Sequence, residues 1–255
     1  SLHDALPICH YGTGLWSFLE DHEIAISDKY LTWGWQEGVH KNVVPALALT
    51  LCNKKNIQWN EKGSLSIILM GLPRYSYWML SAPVASQYEY YFEQQSTFYY
   101  GLSGAIKRRT IFRSFPTDFG WNLKRRLQAL DPNLEIDPAT ASIESLYKKS
   151  RLLVSTYNAT TFLESMGRNM PTIMFWNPKH WELRSSAIPF FMKLKSAGIF
   201  HETPDSAAKK VNEIWNNVPE WWSSSKVQSA RLEFCEQYAK TMKNPLNHLR
   251  NILKN

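Results

Sequence analysis

The side chains best suited to chemistry fall in one stretch, residues 151–176 (RLLVSTYNATTFLESMGRNMPTIMFW). An apolar run there ends in Ser155, Thr156, Tyr157 and Asn158. A helical pattern with Thr160 and Thr161 near its start carries Glu164, and a second apolar run follows Pro171. Hydroxyl and amide side chains between a strand and a helix serve either of two ends. They close the turn and cap the helix, or they join the free N–H groups and positive dipole of the helix start in holding a phosphate or pyrophosphate. Asn158 reads as an N-cap, while Thr161 and Glu164 fit a capping box, so the first helical residue stays ambiguous. The residue pattern alone does not separate the two ends.

Other positions add to this set. Arg113 directly follows an apolar run, where its guanidinium could clamp a phosphate or pair with Asp118. His180, Glu182 and Arg184 follow the run 172–176. Glu182 or Arg184 could hold a sugar or nucleotide, and Trp181 between them could stack on a ring or simply pack in the core. His22, flanked by Glu20, Asp21 and Glu23, suits either a general base or a charged surface turn. Its spacing to Asp28 matches no known metal pattern, so no metal site is expected. His10 opens a Gly-containing loop, 10–14, expected to be flexible, and is with His22 a candidate catalytic residue. His201 and Glu202 end a short run and could face the same pocket or only cap it. Trp215, Trp221 and Trp222 read as packing residues.

These side chains need a frame that brings strand ends together. From residue 64 onward, short apolar runs alternate with amphipathic segments, the pattern of a doubly wound parallel sheet. Strands are expected at 65–70, 110–115, 134–136, 152–156, 172–176 and 198–201. Helices are expected at 86–102, 122–130, 142–150, 160–167, 190–197, 205–216 and 227–240, with a Trp-rich turn over 215–222. Before residue 64 the pattern is weaker. Extended pieces are expected at 24–26 and 30–33, a buried strand or short helix at 43–51, and a polar linker at 53–63. In such a sheet, ligands bind at the carboxyl ends of the strands, which is where 155–164 would lie.

Composition sets the limits. With 255 residues and 44% hydrophobic content the chain can bury a large core, and disorder is excluded. The excess of 29 Lys and Arg over 22 Asp and Glu suits an anionic partner or plain solubility. Nucleic acid is not expected, because the basic residues are scattered and no recognition signature accompanies them. No apolar run reaches membrane-spanning length. Three scattered cysteines form no C-x-x-C pair, which points to a reducing cytoplasm. Residues 1–8 (SLHDALPI) read as a translated sequencing-adapter scar, and the chain as a fragment of a longer protein.

Residues 151–176 resemble the donor-binding signature of GT-B glycosyltransferases and related polymer glycerophosphotransferases. There a Ser/Thr-rich strand end leads into a helix bearing a glutamate, then Gly-x-x-Pro, matched here by Glu164, Gly167 and Pro171. More of the chain resembles a bacterial family of transferases associated with surface-polysaccharide biosynthesis. The matching segments are 20–28 (EDHEIAISD), 30–35 (YLTWGW), 113–121 (RSFPTDFGW), 151–176, 181–184 (WELR) and 198–203 (GIFHET). The resemblance implies an α/β, Rossmann-like GT-B C-terminal donor domain joined to the tail of a second α/β domain. The implied layout is an acceptor-side remnant and linker at 9–62, the donor-nucleotide domain at 63–222 and C-terminal helices at 223–255. It further implies glycosyl transfer from a nucleotide-activated sugar donor to a glycan or lipid-linked acceptor, with no cofactor, and with Glu164 near the donor's ribose. A peripheral contact with the inner face of a membrane is expected from charge and pathway. A polyol-phosphate transferase, a nucleotide-sugar epimerase and a non-catalytic nucleotide-sugar-binding module remain alternatives. A dinucleotide oxidoreductase is disfavoured, since 70–73 (MGLP) lacks the glycine fingerprint.

Overall fold

Strand residues of the main sheet divide strictly by parity. Leu65, Ile67 and Leu69, Leu152 and Val154, and Ile173 and Phe175 enter one apolar core. Ile68 and Met70, Leu153, and Met174 and Trp176 enter another. A pleated strand sends successive side chains to opposite faces. Burial of both faces is what makes these strands read as unbroken apolar runs. The computed structural model describes residues 10–75 and 79–254. The segment expected to be adapter-derived lies outside them.

In chain order the elements are α1 (Phe18–Ile26), β1 (Tyr30–Thr32), β2 (Val43–Pro45), β3 (Ser64–Ile68), α2 (Gln87–Gly101), α3 (Gly104–Lys107), β4 (Thr110–Arg113) and α4 (Leu123–Leu130). They continue with β5 (Glu135–Asp137), α5 (Ile143–Lys149), β6 (Ser150–Ser155), α6 (Thr160–Gly167), β7 (Thr172–Phe175), α7 (Ile188–Ser196) and β8 (Phe200–His201). The chain ends in α8 (Pro204–Ile214), a 3₁₀ turn (Trp215–Asn217), α9 (Val218–Ser223), α10 (Ser225–Tyr238) and α11 (Pro245–Lys254).

Strands β3 to β8 form one parallel sheet in the order β5-β4-β3-β6-β7-β8. This is the Rossmann-like arrangement, in which the chain starts at the centre, winds one way, then crosses back and winds the other. All six expected strands are present. The reversal falls between β3 and β6, so the crevice at their carboxyl ends is the topological switch point. Strands β1 and β2 make a separate parallel pair, and α10 packs on α6 and α7.

Residues 10–62 depart most from expectation. The run 24–26 is the end of a helix rather than extended: Ser17 caps α1 by accepting the Glu20 N–H, and Glu20 and Asp21 sit in its positive first turn. Only 43–45 of the segment 43–51 is a strand; Ala46, Leu47, Ala48 and Leu51 are nonetheless buried. The expected linker is irregular but tied down: Ile57 N–H donates to Arg168 O (2.9 Å) and Asn60 N–H to Ser150 O (2.9 Å). The expected Trp-rich turn holds a 3₁₀ turn and a short helix, and α11 is an addition to the expected elements.

At the switch point the backbone of β3 runs out of sheet partners on the β6 side, and side chains take over. Met70 N–H donates to the Tyr91 hydroxyl (2.9 Å), which lies 2.6 Å from Thr156 Oγ1, and Thr156 donates to Ile68 O (2.8 Å). Tyr88 OH donates to Met70 O (3.2 Å). Replacing Thr156 by isosteric Val removes the hydroxyl donor to the buried Ile68 carbonyl and leaves the Tyr91 hydroxyl with Met70 N–H but without its Thr156 partner. It is expected to cost about 1–3 kcal/mol. Urea unfolding checks this: the midpoint should fall with an unchanged slope.

Candidate functional site

The start of α6 lies at the carboxyl end of β6, beside the switch point. Ala159, not Asn158, occupies its N-cap position, and no side chain caps it. Asn158 instead turns inward, fully buried, and its Oδ1 accepts from Thr13 Oγ1 (3.2 Å). The capping box is likewise absent: Thr161 lies inside the first turn, its hydroxyl 3.0 Å from Tyr157 OH. Ser155 donates to Tyr157 O (3.2 Å), and Thr156 belongs to the switch-point chain. The helix therefore presents its first N–H groups with no side-chain acceptor drawn across them.

One side of α6, carrying Thr160, Leu163 and Glu164, borders a cavity of about 510 Å³. Its other walls include Tyr11, Glu23 of α1, and Trp33 and Trp35. Burial raises the Glu164 carboxyl above its ordinary range, against the pull of Lys54 and Arg168. Tyr11 OH donates to Glu23 Oε1 (3.1 Å). Among the described residues, neither lysine, arginine nor histidine lines this space.

The loop 10–14 is not free. His10 is 1% exposed, and its Nε2 donates to Trp16 O (2.8 Å), which leaves Nδ1 buried without a partner among the described residues. Asn158 Nδ2 is buried and unpartnered as well, and the Thr13 hydroxyl is shared between His10 O (2.9 Å) and Asn158 Oδ1. Gly12 needs its φ of +73°, and a Cβ there would fall 2.4 Å from the Trp35 ring. Its N–H donates to Glu20 Oε1 (2.7 Å). Glu20, wholly buried, also pairs with Arg184, which donates to Gly14 O (3.0 Å). Burial pushes the Glu20 carboxyl up to about 7 in spite of Arg184, and drives the His10 imidazole down to about 4.

Of the residues singled out in the sequence, the structure gathers Thr160 and Glu164 at the cavity. Arg184 is engaged with Glu20 and Gly14 O. Arg113 is paired with Asp137 (2.6 Å), not Asp118, and also donates to Ala141 O (2.8 Å). His180 stands edge-on to Tyr90 (5.4 Å), its pKa lowered by burial, and the Glu182 carbonyl accepts Leu15 N–H (2.9 Å). Trp181 is core, 1% exposed. His22 is exposed on α1. His201 is bound locally to Ser206 and Gly198 O, and Glu202 pairs with Lys195. The cavity residues Tyr11, Glu23, Trp33 and Trp35 were not singled out as site residues. Their signal was the Glu20/Glu23 spacing of three, which puts one carboxylate inside and one at the cavity only once 18–26 is known to be a helix.

Among the described residues no group of three or more His, Cys, Asp or Glu is placed to hold a metal ion. No described helix is long and apolar enough to cross a membrane. A family model described as LIC12162 family transferase matches residues 9–253. No curated protein matches the chain.

The His10 shift makes a pH prediction. Its folded-state pKa lies below the unfolded value of 6.5, so its contribution is intact above 6.5 and lost as pH falls towards 4. Glu20, raised, works the other way, losing its contribution as pH climbs from 4.5 to about 7. The two oppose each other in the wild type. In His10→Gln only the Glu20 effect remains, so its stability relative to wild type should improve by on the order of 3 kcal/mol between pH 6.5 and 4. Parallel urea midpoints for the two proteins across that range would refute the buried neutral imidazole.

Proposed function

The chain belongs to the LIC12162 family of transferases, and from that premise we propose that it moves a glycosyl group from a nucleotide-activated sugar to a surface-polysaccharide acceptor. The observation that carries the reading is the uncapped start of α6 beside a cavity that Thr160 and Glu164 border. A pyrophosphate at the first N–H groups of α6 gains both hydrogen bonds and the helix dipole. Glu164 lies four residues on, about 6 Å along the axis, within reach of the adjoining ribose, whose hydroxyls are donors for a carboxylate.

In the transfer, an acceptor hydroxyl attacks the anomeric carbon and the bond from that carbon to the phosphate oxygen breaks. The nucleoside diphosphate departs with the bonding electrons, and the acceptor proton passes to a base. The α6 N–H groups stabilise the charge growing on the leaving phosphate, and they do so without reorganising. Of the two histidines considered as base, His22 has its ring at the surface and His10 is enclosed under Trp16 O.

Calorimetric titration with CDP, UDP, GDP and dTDP tests the proposal. At least one is expected to bind saturably, and Glu164→Gln should weaken it about tenfold, or about 1.4 kcal/mol. Arg113→Ala, which frees Asp137 rather than a ligand, should lower the melting temperature and leave that affinity within about twofold. Failure of all four nucleotides to bind the folded protein would rule the reading out.

A further inference from the structure

We propose that Glu23 reads the donor's base, selecting a nucleobase with an exocyclic amino group over one with a carbonyl at that position. This rests on the nucleotide-donor reading of the same cavity and goes beyond it, because Glu23 comes from α1 and not from the sheet unit. The argument is an inventory of hydrogen-bonding capacity. The cavity's charged side chains are two carboxylates, Glu23 and Glu164, and among the described residues no Lys, Arg, His, Asn or Gln lines it. Hydroxyls line it too, on Tyr30, Thr50, Thr160 and Tyr238, on Thr32, which donates to Trp35 O, and on Tyr11, which donates to Glu23 itself. A carboxylate only accepts. Whatever group sits against either carboxylate must therefore bring a donor.

A ribose diol provides donors for one carboxylate. The second, Glu23, takes the Tyr11 hydroxyl on Oε1, and the two oxygens of a carboxylate have lone pairs for more than that one bond. The only strong donors on a base edge are its amino groups and ring N–H. Cytosine and adenine offer an amino group, as in their pairing with acceptor side chains elsewhere. Uracil offers N3–H, but two carbonyl oxygens flank it, and these set lone pairs against the carboxylate. The lining of the same space includes the indoles of Trp33 and Trp35. Stacking on aromatic rings tolerates any base, so discrimination falls to Glu23. A polar group left unpaired in a closed site is what rejects the wrong ligand most strongly.

The test compares matched pairs, CDP with UDP and ADP with IDP, by calorimetry on the wild type and on Glu23→Gln. The amino member of at least one pair is expected to bind about tenfold or more tightly. An amide both donates and accepts, so Glu23→Gln should bring that ratio close to one while a thermal melt shows the variant folded. If UDP and IDP bind the wild type as well as their amino partners, base reading by Glu23 is overturned and the nucleotide site stands. A ratio preserved in Glu23→Gln overturns it equally. If none of the four binds the wild type, this inference falls, and the nucleotide-donor reading falls with it when GDP and dTDP fail as well.

Discussion

The relay of hydroxyls at the switch point is the constraint on which the rest of the molecule turns. A doubly wound sheet must let its central pair of strands diverge, so that their helices leave on opposite faces. The diverging strands carry backbone groups into the interior with no ladder partner, and such groups are costly when unmet. Tyr88, Tyr91 and Thr156 meet them in series, from Met70 to Ile68. Because Thr156 is consumed in this way, it is unavailable to a ligand. The proposed site accordingly begins one step along the chain, at the start of α6. Two aromatic hydroxyls from α2 are thereby built into the floor of the crevice, which fixes α2 against the sheet.

A second constraint places the cavity. Glu20 is a buried carboxylate that gains the Gly12 N–H and Arg184, and Arg184 in turn holds the Gly14 carbonyl. Burying an ion pair costs much of what the pairing returns, so its net stabilisation is small. Its effect here is positional. It locks the 10–14 loop and α1 to the segment after β7, and Thr13 then reaches Asn158 at the α6 entrance. Tyr11 and Glu23 become cavity walls because their immediate neighbours are pinned. The arrangement leaves two buried polar atoms, His10 Nδ1 and Asn158 Nδ2, without partners among the described residues. Both belong to residues that the Thr13 hydroxyl links.

The sheet was legible because it is buried on both faces. Residues 65–70, 152–156 and 172–176 are apolar almost without interruption, and three such short runs spaced by helical patterns point to strands buried on both faces. The uncapped helix start at 160 was half legible. Strand, turn and helix follow from the local pattern, but local rules gave the cap to Asn158, because its true partner, Thr13, comes from 145 positions away in sequence. The same limit explains Arg113. Sequence proximity suggested Asp118, whereas parallel pairing of β4 with β5 sets Arg113 directly opposite Asp137. Which acidic side chain an arginine meets depends on strand register, and register is a property of the assembled sheet.

The sequence by itself determined the Rossmann-like α/β class, the succession of strands and helices from residue 64, and the stretch containing Thr160 and Glu164 beside which a ligand site would form. These follow from periodicity and turn chemistry, which act over a few residues. Tertiary structure alone decided which polar groups remain free to meet a ligand. Thr156, Arg113 and Arg184 are engaged by distant partners, while Glu23 and the Trp33 and Trp35 rings are carried into a cavity they do not approach in sequence. Hydrogen-bonding capacity is spent between residues far apart in the chain, so what is left over appears only when the whole chain has folded.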